Sequence, residues 1–296
     1  MYPAEFEYFS PRTIDEALAL LSTWGEDAKI LSGGQSLVPM MKLRIASPRC
    51  LIDINRIDSL SGLRVDEGRL VMGALCRHAD VAASALVREH LPLMLDAVSQ
   101  TADVQVRNRG TVAGSLAHAD PAGDWPAALL ALDTHLTVVS PRGQRTVALE
   151  TFLVDAYTTD LAVDEIVTEV AVSLPRPPAG GAYVKFEKRA GDFAVASVGV
   201  QLTLEGDRCS DVAISLGALG AIPSRASAAE AELRDQPVTD ERLDRAADLV
   251  REAAQPFEDT RGSVEYKRHL AGVLFTRAFA VAADRARGSR VSTLHL

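Results

Sequence analysis

The chain has 296 residues, 47% of them hydrophobic and 24% charged, and a formal net charge of −9. That is the make-up of a globular chain with a sizeable core, long enough for two or three packing units. The acidic balance argues against nucleic acid or an anionic membrane surface as the main partner, since both call for a basic face.

The opening MYPAEFEYFS lacks the basic-then-apolar order of a signal peptide, and no run of about eighteen apolar residues follows, so a cytoplasmic location is expected. Residues 5–9 alternate as a strand does. Thr13 and Glu16 then stand at capping-box spacing before a helix with Ile14, Ala17, Leu18 and Leu21 on its apolar stripe. Gly25 suits the end of that helix. Residues 28–31 read as a short buried strand, and residues 37–45 as an amphipathic turn of helix. Between them lies Ser32-Gly33-Gly34-Gln35-Ser36, whose two glycines let backbone N–H groups approach an anion with no Cβ in the way. Residues 50–54 form the next strand, and the first unit ends near Asn55.

A second unit opens with a strand at 69–74, followed by helices at 79–87 and 91–102. Residues 104–118 are poor in helical periodicity and rich in small or polar residues, with a loop at 111–115. They contain Thr111-Val112-Ala113-Gly114-Ser115, a second stretch of small and hydroxyl residues. A short helix at 124–132, a hairpin around 141–143 and a strand at 165–174 complete the unit. The run PRPPAGG at 175–181 marks a boundary. Beyond it come strands at 182–188, 194–205 and 209–219, then helices at 226–234, 240–252 and 264–286. Such a tail makes a three-stranded sheet backed by helices. Residues 287–296 read as a solvated end.

Cys50, Cys76 and Cys209 are too few and too scattered to hold an iron–sulfur cluster, and they read as small buried hydrophobes. The six histidines show no metal-binding spacing. The glycine loop is neither GxGxxG nor a P-loop, which disfavours a nicotinamide or ATP-binding Rossmann unit. Two small-residue loops in one chain instead suggest a diphosphate gripped from two sides.

The longer strings SGGQSLVPMMKLRIASPRCLIDI and VRNRGTVAGSLAHADPAGDWP closely resemble the flavin-binding medium subunit of molybdenum hydroxylases, the carbon monoxide dehydrogenase and xanthine dehydrogenase family. GALGAIPSRASAAE and EYKRHLAGVLFTRAF are similar to that family's C-terminal flavoprotein domain, so the resemblance covers essentially the whole chain. It implies an α+β fold. A two-subdomain FAD-binding domain of the vanillyl-alcohol-oxidase-like type spans residues 1–176, split near 56, and a small C-terminal domain spans residues 181–286.

The resemblance also implies roles. Ile30, Leu31, Ser32, Gly33, Gly34, Gln35, Ser36 and Leu37 would wrap the FAD pyrophosphate, and Thr111, Val112, Ala113, Gly114 and Ser115 would supply a second set of donors. Asp124 would hold the adenosine end, although its position also suits a helix cap. Lys185 would lie near the flavin ring as a cation, Phe193 would cover one ring face, and Val167 would lie beneath it. Two positions depart from the family pattern: Ala113 stands where glycine is usual, and Phe193 where tyrosine is frequent. Ala113 is expected at ordinary negative φ. Arg107 and Arg109 suit a structural or interface role, and His118 and Asp120 suit loop bracing.

No residue is required to act on an organic substrate. The resemblance implies an electron-transferring subunit: electrons arrive from [2Fe–2S] clusters on a small subunit, after oxidation at a molybdenum cofactor on a large subunit, and leave to an external acceptor. A dimer of heterotrimers would be the assembly. A self-contained flavin oxidoreductase, or a scaffold that has lost FAD, stays open at this point.

Overall fold

The structure, a computed structural model, describes residues 2–289 and 291–292. Its first sheet has three parallel strands in the order Glu7–Phe9, Cys50–Asp53, Ala28–Leu31. The central strand is the buried one, with Cys50, Leu51 and Ile52 inside the core. The strand Ala28–Leu31 lies at the edge and buries only Ala28 fully, which corrects its reading as a buried strand. The helix Ile14–Trp24, which packs on the central strand, is capped by Thr13 Oγ1, which accepts from Glu16 N–H at 3.1 Å. Glu16 reaches back one residue further than a capping box requires, accepting from Arg12 N–H. Gly25, at φ +51°, ends the helix.

The second sheet is antiparallel, in the order Leu63–Asp66, Arg69–Gly73, Ile166–Ser173, Thr134–Ser140, Gly143–Ala148. Helices His78–Ala83, Ala85–His90 and Pro92–Gln100 pack on one another, the last also on the strand Ala179–Phe186. The first two replace the single helix expected at 79–87, because Ser84 takes an extended conformation and caps a new helix start at Val87 N–H. Residues 104–118, poor in helical periodicity, nonetheless form helices Val104–Arg107 and Val112–His118, so the loop expected at 111–115 is mostly helix. Four and seven residues are too few to show a 3.6-residue period. Both units up to residue 172 share one hydrophobic core.

The third sheet is built on Ala179–Phe186, Ala196–Glu205 and Arg208–Gly217 and is covered by the helix Val264–Ala286. It has five strands rather than three, since Ser224–Arg225 and Gln236–Pro237 both pair with Arg208–Gly217. These short pairings protect what would be a long open edge. Gly180 and Gly181 also fall inside the first strand instead of in the linker. A Cβ on Gly180 would run into the Ala282 carbonyl, so the glycine lets the long helix lie close on the sheet. The described end of the chain is not merely solvated, because Val291 O accepts from Arg285 Nε at 3.0 Å. Residues 290 and 293–296 of the expected solvated end lie outside the described residues. Among the described residues, no helix is long and apolar enough to cross a membrane.

Candidate functional site

The two small-residue segments meet. Ser32 Oγ lies 3.1 Å from Thr111 Oγ1. Gly33 packs on the backbone that leads into the second segment, where an added Cβ would sit 2.5 Å from Arg109 O. Only glycine allows that approach. Gly34, at φ +71°, then turns the chain into the helix Leu37–Lys42. The first backbone bond of that helix runs from Val38 N–H to Gly34 O, so the N–H groups of residues 34–37 precede the hydrogen-bonded turn.

The second segment is a helix start. Thr111 caps it by accepting from Gly114 N–H at 3.1 Å. Val112 N–H donates to Cys76 O and Ser115 N–H to Thr111 O. Of the backbone donors in this segment, the N–H groups of Thr111 and Ala113 therefore remain, together with the Ser115 hydroxyl. Ala113 is a buried helical residue and is absent from the positive-φ positions of the described chain, so the missing glycine introduces no backbone strain.

A hydrogen-bonded brace runs beneath both segments. Tyr8 Oη donates to Asp53 Oδ2 at 2.6 Å, and Asp53 Oδ1 accepts from Asn55 N–H at 2.9 Å. Asn55 Nδ2 donates to Ser32 O at 2.9 Å, while Asn55 Oδ1 accepts from Arg77 Nη2. Arg77 Nη1 donates to Arg109 O at 2.6 Å, and Arg77 pairs with Thr111 as an isolated β-bridge. Sequence reasoning missed Asp53, Asn55 and Arg77; they have no motif, and only the fold brings them together. Burial and the nearby Arg109 cation push the Arg77 guanidinium down from its ordinary value. Two cations thus stand close together beneath the segments. His78 lies behind them, stacked on Trp125 with ring centres 5.6 Å apart. Burial pushes its imidazole down to about 4.

A second cluster joins Gln100 and Asp124 to Lys185 and the loop that follows its strand. The Lys185 side chain is fully buried, with Nζ 3.1 Å from Asp124 Oδ1. It donates to Gln100 O at 2.6 Å, to Asp192 O at 3.0 Å and to Asp124 Oδ2 at 3.2 Å. Those three acceptors engage all the donors an ammonium has. Glu187 Oε2 adds a charge contact at 3.0 Å without hydrogen-bond geometry. Two carboxylates thus offset the Lys185 ammonium. Asp124 does not cap its helix; Gly123 holds that position. The Asp124 carboxylate instead accepts from Tyr183 Oη at 2.9 Å. Burial pushes the Asp124 carboxyl up, and the Lys185 ammonium and Tyr183 hydroxyl draw it part of the way back.

The remaining expected residues are more dispersed. Val167 is a buried core side chain beside a bulge in its strand. Phe193 is 50% exposed, with the Arg261 guanidinium carbon 5.8 Å from its ring centre. Arg107 braces the backbone by donating to Thr101 O and Ala102 O. His118 packs on Tyr157, and Asp120 Oδ1 accepts from Ala122 N–H. All three cysteines are buried and free, as read from their scatter.

Residues 4–177 match the family described as the FAD binding domain in molybdopterin dehydrogenase, and residues 181–282 match the CO dehydrogenase flavoprotein C-terminal domain. The carbon monoxide dehydrogenase medium chain of Hydrogenophaga pseudoflava is 39% identical over 282 residues, spanning 95% of this chain and 98% of that one. The nicotine 6-hydroxylase medium subunit of Paenarthrobacter nicotinovorans is 40% identical over 279 residues, 94% of this chain and 97% of that one. A solved structure of the H. pseudoflava carbon monoxide dehydrogenase, lacking the Mo-pyranopterin moiety of its cofactor, aligns with a TM-score of 0.94 at 41% identity. The alignment covers 96% of this chain and 99% of that one. The chain belongs to the FAD-binding medium subunits of the molybdenum hydroxylases.

The donor set of this medium subunit suits a dinucleotide diphosphate. It offers backbone N–H groups ahead of one helix, a buried N–H at the start of another, and hydroxyls at Ser32, Ser36, Thr111 and Ser115. Hydrogen bonds to charged oxygen are about twice as strong as neutral ones, so such a set binds an anion without lysines. Arg77 and Arg109 add positive potential beneath it. Cavities of about 630 and 440 Å3 lie away from these segments, the larger one between the second and third sheets. The cradle is a seam between two pieces of backbone, not an enclosed pocket.

Proposed function

We propose that this medium subunit is the FAD-carrying electron relay of a heterotrimeric molybdenum hydroxylase. A large subunit would hold the molybdenum cofactor and oxidise the substrate, and a small subunit would pass the electrons through [2Fe–2S] clusters to the FAD on this chain. An external acceptor would then receive them, and two heterotrimers would pair in the full assembly. The observation that carries the reading is the junction of Ser32 and Thr111, which turns two separate anion-binding segments into one clamp.

FAD, when bound, supplies the redox chemistry, and the protein positions it and sets its surroundings. Residues 30–37 would wrap one side of the pyrophosphate. On the other side, the contribution of residues 111–115 narrows to the Thr111 and Ala113 N–H groups and the hydroxyls, because the N–H groups of Val112, Gly114 and Ser115 are engaged internally. Asp124 and Lys185 touch, so they cannot serve opposite ends of an extended FAD. We keep Lys185 at the ring end, with Val167 and Phe193, and assign Asp124 as its counter-charge. With its donors taken, Lys185 would act on the ring through the field of the cluster, and it would also tie the 187–193 loop to Gln100 and Asp124.

Two measurements test this reading. The purified chain should take up FAD and turn yellow; a colourless chain that refuses FAD would favour a scaffold. Isolation from the native source should bring a large molybdenum-containing chain and a small iron–sulfur chain with it. Recovery of the flavoprotein alone, active on an organic substrate, would favour a self-contained oxidoreductase.

A further inference from the structure

The loop 187–193 links the strands Ala179–Phe186 and Ala196–Glu205 and passes over Lys185. It is held from below. Lys185 Nζ donates to Asp192 O at 3.0 Å, and Gly191 N–H donates to Glu187 Oε1 at 3.1 Å. Gly191 also lies so close to Ala102 that an added Cβ would stand 2.8 Å from its carbonyl oxygen. The loop is held from the side by the turn closed between Asp259 and Gly262. There Lys188 Nζ donates to Thr260 O at 2.5 Å, and Arg261 Nη2 donates to Asp192 Oδ1 at 3.4 Å.

Arg261 makes a second contact with the same loop. Its guanidinium carbon lies 5.8 Å from the centre of the Phe193 ring, within cation–π range. Phe193 is half exposed and packs with neither hydrophobic core of the described residues. No hydroxyl tethers it. The guanidinium over its face thus orients this ring, while the pair with Asp192 fixes the residue just before it.

We propose that Arg261 is a positioning residue of the flavin site, clasping Asp192 and Phe193 so that the loop stays folded over Lys185. The inference rests on the reading that Lys185 and Phe193 flank the flavin ring. Arginine suits the task because its planar fork can pair with a carboxylate at its edge and stack on an aromatic face at once, which a lysine does less well.

Hydrogen exchange on the full chain, with and without FAD, tests the clasp. The amides of Gly191, Asp192 and Phe193 donate to Glu187 Oε1, Arg189 O and Asp192 Oδ1, so they report whether the loop is closed. In the FAD-free chain, Arg261→Leu should speed their exchange about tenfold and leave the strand Arg208–Gly217 unchanged. Arg261→Lys should fall between it and the wild type. Should Arg261→Leu fail to fold, Asp192→Asn removes the same ion pair and should shift exchange in the same direction. Wild-type exchange rates in the variant would overturn the clasp. With FAD added, the wild-type loop should gain protection, and Arg261→Leu should reduce that gain and shift the visible band of the bound flavin. Wild-type protection and spectrum in the variant would overturn the positioning role. A wild-type chain that binds FAD with no change in this loop would overturn the placement of the ring, and the positioning role with it, whatever the FAD-free chain shows.

Discussion

The hydroxyls of Ser32 and Thr111 stand 3.1 Å apart across 79 positions of sequence, and Thr111 also caps the helix that follows it. One side chain therefore joins the two halves of the clamp and starts one of its helices. Thr111→Val should cost about 1–2 kcal/mol of stability through loss of the cap. It should also weaken FAD binding, whereas Thr111→Ser should retain both. Urea midpoints and a flavin titration of the two variants check this; equal behaviour of valine and serine would refute it.

Gly33→Ala pushes the two segments apart, because its Cβ would meet Arg109 O at 2.5 Å. Overpacking of this kind typically costs about 1–3 kcal/mol. The expected result is a chain with native far-UV circular dichroism and at least tenfold weaker FAD binding. Full flavin content in the variant would show that the close approach is dispensable.

Lys185→Met leaves the Asp124 carboxyl buried with no cationic partner. Breaking a buried pair on one side costs about 3–5 kcal/mol, more than replacing both partners by apolar groups. The double variant Asp124→Leu with Lys185→Met should therefore be more stable than Lys185→Met alone. Thermal or urea unfolding of Lys185→Met, Asp124→Leu and the double variant measures the coupling, and additive losses would contradict it.

His78 makes stability depend on pH. Its native imidazole is held at about 4, against an ordinary 6.5, by burial and the nearby Arg107 and Arg77. As pH falls through 6.5 the unfolded chain takes up a proton that the folded chain refuses until about 4. Stability is thus full above 6.5 and declines across that window, by roughly 3 kcal/mol for this group. His78→Phe keeps a ring against Trp125 and removes the titration. The difference between variant and wild-type urea midpoints should widen in favour of the variant from pH 7.5 to pH 4.5. A constant difference would refute the assignment.

The thiols should be silent in the folded chain. Burial pushes Cys76 up to about 12 and Cys209 up to about 11, and Cys50 is raised as well. Ellman's reagent at pH 8 should therefore detect no thiol until denaturant is added, and then three. Rapid reaction of any one in the native chain would mark an opening in that part of the core.

What the sequence announced and what it concealed divide along a physical line. Gly33 and Gly34 stand out between a strand and a helix, but such a pair most often only turns the chain, and the longer strings around it carry the reading. The helix Val112–His118 was not legible, being too short and too rich in small residues for its period to register. Its one signal was Thr111, a capping residue three positions ahead of the N–H that it accepts. The brace through Asp53, Asn55 and Arg77 and the pairing of Asp124 with Lys185 left no trace at all. Their members are ordinary polar residues until the fold joins them, in the latter case across 61 positions. The sequence marks Lys185 as a cation, but only the fold shows that Gln100, Asp124 and Asp192 take its donors.

Tyr183 lies on the first strand of the C-terminal domain, yet its ring is fully buried in the core of the preceding domain, and its hydroxyl ends on Asp124. The recognised boundary between the two family domains at 177–181 is therefore a boundary of ancestry, not of mechanics. A protease that nicks the chain there should release nothing. An N-terminal piece expressed alone would open a ring-sized hole in its own interior and would need the missing strand supplied from outside before it could be whole.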